Sequence, residues 1–401
     1  MTQTNCNEQV VPSCWDRSGL PGWTYFSEDL FRLEQEVLFR QHWQLVGHIN
    51  AIIDPGTYIT LDIADERGFV IRGSDGKVRA FHNLCRHRGS RVVPEKKGKC
   101  NKSIVCPYHG WTYGLDGATR GIARKESFPE MDRNKLGLIP LNMEIWHGFI
   151  FVKFKDSYQP SVKEIMARFE HEITEFGLDK MIPVPESEWF DIIDVNWKSV
   201  RDVDNEGYHV KQAHPGLEEL YGQNYNDEPF QNGTSRSVGI FNTKPSKRWS
   251  VRNYLKLLPK VDKLSLESQN RWLYAGMFPN LVFGFYPDSV IYYMEIPISA
   301  TQTIQRGGAL RYPNETRDLK IARYLSGRID RDTAKEDQML TVWSCEATKS
   351  SAYSGIILSD LEYGVKTYHD HLRKIMPVLE LQDPPCEGKI TAINNDMINS
   401  I

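Results

Sequence analysis

Two Cys/His pairs constrain this chain more than any other feature. One lies in CRHRG, residues 85–89, the other in CPYHGW, residues 106–111, with eighteen residues between His87 and Cys106. Packing alone does not ask for two thiols and two imidazoles in neighbouring turns. From about residue 46 to 155 the sequence is made of β-branched and aromatic runs (TYITLDI, GFVIRG, VRAFHNL, SIVCPY, GFIFVKF) parted by DPG, SDG and LDG. That texture predicts an antiparallel β-domain. Each Cys/His pair then ends a strand, in a turn containing Gly89 or Gly110, and two such loops facing each other can grip one centre. Cys85, His87, Cys106 and His109 suit tetrahedral zinc. They also suit a [2Fe–2S] cluster with two cysteines on one iron and two histidines on the other. The unequal spacers and the tight Pro107-Tyr108-Gly110-Trp111 turn, whose amides can point at sulfides, favour the cluster.

A carrier of single electrons needs a consumer, and NWKSVRDVDNEGYHVKQAHPGL offers one. Glu206 and His209 are three apart and share a helix face. His209 and His214 are five apart, about 140° around a straight helix. Both can reach one metal only if the helix breaks between them, and Pro215 gives a reason for the break. Two imidazoles and one carboxylate form the open-sided ligand set of non-haem Fe(II) oxygenases. Such a histidine pair, taken alone, more often packs a helix than holds a metal. Behind the Cys/His loops the metal reading gains weight.

Over nearly its whole length the chain resembles the catalytic α-subunit of Rieske non-haem iron oxygenases, in domain order, in length and in both motifs. The resemblance implies an α+β chain, with an antiparallel all-β Rieske domain ahead of a helix-grip-like catalytic domain, an antiparallel sheet with helices. The expected boundaries are 1–45 for an N-terminal helix packing on the catalytic domain, 46–158 for the Rieske domain and 159–401 for the catalytic domain. It also implies iron on His209 and His214, and a bridging role for Glu206 towards the cluster of a neighbouring subunit in a head-to-tail homotrimer. The remaining iron ligand in such proteins is a downstream Asp, often after another acid. In DTAKEDQMLTVW that is Asp337, behind Glu336, with Asp332 as the fallback. Asp204-Asn205 directly precede Glu206, which leaves open whether Asp202 or Asp204 shares the bridging. Electrons would come from NADH through a separate flavin/iron–sulfur reductase to the cluster, then to Fe(II), where O2 is cleaved and oxygen enters a substrate.

A glutamate at the bridging position resembles the members acting on carnitine, choline or betaines. Hydroxylation or oxidative N-demethylation of a small quaternary ammonium compound is therefore the leading expectation. Hydroxylation or O-demethylation of an aromatic acid is the alternative within the family, and a non-catalytic iron–sulfur electron carrier the alternative outside it. Cation–π attraction makes Tyr208, Trp272, Phe283, Phe285 and Tyr292 the candidate substrate residues. All but Tyr208 lie in an aromatic stretch that also holds Tyr274, Phe278, Tyr286 and Tyr293.

Composition narrows the rest. Net charge is −3 with no long basic run, which argues against nucleic acid. No window approaches the eighteen apolar residues of a membrane span. Residues 1–14, MTQTNCNEQVVPSC, lack a basic and then apolar leader, and seven scattered cysteines suit a reducing compartment, so the expected location is cytoplasmic. Helices are expected over 27–44, 161–178, 196–222 and 331–376, with a strand near 189–195. Residues 223–270 read as irregular. RWLYAGMFPNLVFGFY and SVIYYMEIPIS read as two strands paired at Pro287-Asp288.

Overall fold

The computed structural model describes residues 11–400. Residues 1–10, most of the 1–14 segment in which no leader was expected, lie outside them. The described chain separates into two compact units.

The first unit runs from Gln35 to Glu164 and takes back Gly177–Pro183. It is built of small antiparallel sheets. Gln44–His48, Phe149–Lys153 and Asn142–Trp146 form one. Val78–His82, Glu66–Arg72, Thr57–Ile63 and Lys97–Lys99 form another. Ser103–Val105, Thr112–Gly114 and Thr119–Gly121 form the third. Inward side chains of the last two join Cys85, Cys106 and Trp111 in one apolar cluster around Phe69, Phe81, Ile104 and Tyr113.

The second unit holds the chain up to Glu34, residues 165–176 and everything from Val184. Its centre is a seven-stranded sheet in the order Ile182–Ile193, Gln302–Arg311, Val290–Ser299, Leu281–Phe285, Arg271–Met277, Thr234–Ile240, Tyr225–Gln231. From Tyr225 to Arg311 the strands form an antiparallel meander. Register sorts the side chains. Trp272, Tyr274, Gly284, Ile291 and Tyr293 share one face, and Leu273, Phe283, Phe285, Tyr292 and Met294 the other. The first face packs under helices. Trp272 and Tyr286 join Leu217, Tyr221, Tyr254, Ala322, Leu325 and Ile329 in a core. Low down, Glu34 is fully buried and bonded by both Trp197 Nε1, at 2.9 Å, and the Lys198 ammonium.

Four expectations need correction. Residues 223–270 are not irregular: Tyr225–Gln231 and Thr234–Ile240 form a hairpin, and Trp249–Leu257 is a helix. Tyr225–Gln231 is an edge strand with a mostly polar sequence, so hydrophobic alternation hides it, although Asn232-Gly233 at its turn (φ +52° and +77°) carries the standard hairpin signal. Residues 271–286 are two strands, turning at Phe278–Asn280. The late helical stretch is two helices, Arg317–Ala347 and Tyr363–Ile375; the first starts early because Thr316 caps it through Leu319 N at 3.2 Å. The helix expected over 161–178 is a series of short turns ending at Gly177 (φ +63°).

Candidate functional site

The two Cys/His loops have the same backbone design. Cys85 N donates to Ser90 O and Gly89 N to Cys85 O; in the second loop Cys106 N donates to Trp111 O and Gly110 N to Cys106 O, all at 2.7–3.0 Å. Gly89 and Gly110 close these turns at φ +73° and +70°, a conformation that glycine adopts without steric cost. Both thiols are buried. The rings of His87 and His109 meet edge to face at 4.6 Å, and His87 stacks on Trp111 at 5.2 Å. Arg88 Nη1 donates to Tyr108 Oη at 3.2 Å, tying the loop tips. Tyr113, a residue the sequence did not single out, brings its hydroxyl 3.2 Å from Cys85 Sγ and accepts a bond from Arg86 N at 3.0 Å.

These loops fit a two-iron cluster better than one zinc ion. Tetrahedral zinc would draw four donors to within about 4 Å of one another. Among the described residues, only His209, His214 and Asp337 gather three or more donor atoms within 4.8 Å. His87 Nδ1 is buried with no hydrogen-bond partner, as a ligand atom would be. Burial pushes the Cys85 thiol up, so metal must displace its proton.

The second site begins where helix Trp197–Asp204 ends at Asn205. Glu206, Gly207 and Tyr208 form a turn, His209 starts the single-turn helix Val210–Ala213, and His214 (φ −117°, ψ 78°) breaks it before Pro215 opens the next. The break brings the two Nε2 atoms to 3.0 Å. Gly207 lets this turn lie on the sheet: a Cβ there would sit 2.1 Å from the Tyr225 ring. From helix Arg317–Ala347, Asp337 Oδ1 lies 2.8 Å from His214 Nε2 and 3.5 Å from His209 Nε2. That oxygen is buried and accepts no well-aligned hydrogen bond. Three ligand atoms crowd together with the carboxylate oxygen left unpaired among them, which is how atoms aimed at a common metal look.

The ring atoms facing away are held. Glu206 accepts from the His209 Nδ1–H and from His209 N. Glu336 does the same for His214 Nδ1 at 2.9 Å. Burial opposes protonation of His209, but Asp337 and Glu206 outweigh it and push the imidazole up to about 10. Asp332 is exposed and outside the group. Asp204 pairs with Arg201 at 3.0 Å, and Asp202 accepts from Tyr25 and His369, so neither shares the bond of Glu206 to His209.

Beside this site lie Asp204, Tyr225, Asp227, Tyr274, Tyr293 and Asp330, carried by the helix before it, the sheet face, its edge hairpin and the long helix, all partly buried. Three aromatic candidates lie away from this group. Phe283, Phe285 and Tyr292 lie on the opposite face, where Phe285 packs on Phe176 at 5.5 Å. Tyr208 points out and is 58% exposed, and Trp272 is fully buried behind Tyr286, stacked at 3.9 Å. Tyr274 and Tyr293 lie on the face that packs under the helices; alternation showed two faces but not which one meets the helices.

Comparison with known proteins agrees with this layout. Residues 164–378, more than half of the chain, match the ring hydroxylating alpha subunit (catalytic domain) family, and residues 42–132 match the Rieske [2Fe–2S] domain. The cofactors are therefore a [2Fe–2S] cluster and a mononuclear iron. A glycine betaine monooxygenase oxygenase subunit of Pseudomonas aeruginosa is 34% identical over 49% of this chain, and the chain spans about half, 45%, of that relative's length. A carnitine monooxygenase oxygenase subunit of Acinetobacter baumannii is 28% identical over 70% of this chain and 72% of its own. The solved structure of a quaternary ammonium Rieske monooxygenase shares the fold at TM-score 0.74, with 24% identity over 88% of this chain and 94% of its own. No described helix is long and apolar enough to cross a membrane. The chain belongs to the ring-hydroxylating α-subunit family, with a Rieske [2Fe–2S] domain preceding its catalytic domain.

Proposed function

We propose that the chain is the oxygenase component of a Rieske monooxygenase that hydroxylates, and thereby N-demethylates, a small quaternary ammonium compound of the carnitine, choline or betaine kind. The observation that carries the reading is the convergence of His209, His214 and Asp337, with Tyr274 and Tyr293 on the neighbouring sheet face. An electron carrier has no use for that trio. Similarity to oxygenase subunits for glycine betaine and carnitine supports the substrate class.

In this reading Cys85, Cys106, His87 and His109 hold the cluster, and His209, His214 and Asp337 hold the iron. The cluster would deliver electrons singly, and the ferrous ion would supply oxygen activation at its open positions. The protein's part is positioning and exclusion of water. Glu206 and Glu336 accept the Nδ1–H of the two imidazoles, so each presents a bare Nε2 inward. Removing either carboxylate frees a ring to rotate or change tautomer. Glu206 keeps lone pairs for a cluster histidine of a neighbouring subunit in a head-to-tail homotrimer. Closed cyclic symmetry is the ordinary way to satisfy such a contact. Electrons come from NADH through a separate flavin/iron–sulfur reductase, in the cytoplasm, where thiols stay reduced.

The test is substrate-dependent O2 and NADH consumption with a surrogate reductase, scored for formaldehyde. Carnitine, choline, glycine betaine and benzoate-type acids are offered separately. The reading expects a quaternary amine to stimulate uptake with stoichiometric formaldehyde. Stimulation by the aromatic acids alone overturns it.

A further inference from the structure

We infer that Asp330, flanked by Tyr274 and Tyr286, is the counter-charge that seats the cationic head of the substrate. The inference rests on the quaternary ammonium reading above and deepens it.

Position comes first. Asp330 stands seven residues before Asp337 on helix Arg317–Ala347. Seven residues are two turns, so both carboxylates look to the same side, about 10 Å apart along the axis. Opposite the helix, strand register places Tyr225, Tyr274 and Tyr293 on one sheet face. Tyr286 joins that face to the helix, its hydroxyl donating to Asp330 Oδ1 at 3.0 Å and lying 3.4 Å from that of Tyr274. A ligand with a methyl group at the metal trio therefore has Asp330 within reach of its head.

Chemistry comes second. Other desolvated carboxylates of this unit face a cation or several donors. Glu34 has Lys198, Glu172 has Arg236 and Arg271, and Glu295 and Asp204 have Arg201. Asp288 accepts from the hydroxyls of Tyr254, Ser289 and Ser326. Asp227 is near Ser237, Tyr225 and the Gly207 amide, which all favour its charged form. Asp330 has the Tyr286 hydroxyl and, among the described residues, is in no ion pair; its neighbour Arg331 is exposed. A carboxylate set among tyrosines without a cation is costly to keep charged. A ligand that brings the cation removes that cost. A quaternary ammonium donates no hydrogen bond, so a carboxylate together with aromatic rings is the recognition it can use. An aromatic acid would meet like charge.

The experiment uses the loaded oxygenase with Asp330→Asn and Asp330→Glu. Four quantities are read: KM and kcat for whichever quaternary amine the wild type oxidises, inhibition by tetramethylammonium, and inhibition by the neutral carbon isostere 3,3-dimethylbutan-1-ol. Asp330→Asn should raise KM and the tetramethylammonium inhibition constant about tenfold or more. The alcohol constant, kcat, iron content and cluster spectrum should stay near wild type, and Asp330→Glu should recover part of the loss. Equal weakening of cation and alcohol, or no change in either, overturns the inference while leaving the substrate class standing. Wild type that neither binds nor oxidises any quaternary amine overturns both.

Discussion

Tyr113→Phe tests how the protein tunes its cluster. The Tyr113 hydroxyl lies 3.2 Å from Cys85 Sγ, in a residue that is fully buried. A hydrogen bond to a charged acceptor contributes about 1.5–3 kcal/mol. Only the difference between the two redox states moves a potential. The reduced cluster carries one more negative charge and gains more from the donor. If half of the bond's strength is differential, about 0.8–1.5 kcal/mol is lost on substitution, and at about 59 mV per tenfold change in a one-electron equilibrium that is roughly 30–65 mV. The variant should therefore titrate at lower potential by that amount, with its characteristic visible spectrum retained. Potentiometry followed by circular dichroism or EPR reads it directly. An unchanged or raised potential in a fully loaded variant refutes the placing of this hydroxyl at the sulfur.

Other consequences are as direct. Glu34→Ala strands the fully buried Lys198 ammonium and should cost about 3–5 kcal/mol, seen as a lower denaturation midpoint of the loaded protein. Gly207→Ala drives a Cβ into Tyr225, at 2.1 Å, so the turn before His209 must shift; iron at the trio should fall while the cluster absorbance stays. Burial, with Asp288 adding to it, pushes the Asp330 carboxyl up to about 7, against lowering by Tyr286 and Arg331. Only its anion attracts a cation, so affinity for tetramethylammonium should rise as pH increases through 7 and level off above; Asp330→Asn should remove the rise centred near 7 and leave the one near 6 that Asp204 and Asp227 supply. The surrounding hydroxyls of Tyr221, Tyr254, Tyr274 and Tyr286 are held protonated well above their usual range and add nothing to it.

The parts legible in the sequence were those in which spacing encodes geometry. Cys85, His87, Cys106 and His109 could be read because ligand loops need those residue types with a glycine at positive φ. The five-residue step from His209 to His214 demanded a helix break, and Pro215 supplied it. Asp337 was legible only through resemblance, since one acid on a polar helix looks like its neighbours; chain folding, not local pattern, sets it against the histidines. Side-chain alternation named the aromatic strands but carried no mark of which face meets a helix, and Phe283, Phe285 and Tyr292 lie on the other one. Tyr225–Gln231 was hidden by its polar edge, with the Asn232-Gly233 turn as its one overlooked sign. Nothing local marks Asp330 or Tyr113: each acquires its role from a partner 44 or 28 residues away.

The account's central claim is a one-electron centre and a separate ferrous centre in one chain, and metal analysis of His209→Ala beside wild type tests it most directly. Wild type should hold about three iron atoms per chain, and His209→Ala about two, with an unaltered cluster EPR signal and no substrate-dependent oxygen uptake. Full iron and full uptake in the variant, or zinc in place of iron in the wild type, would contradict it.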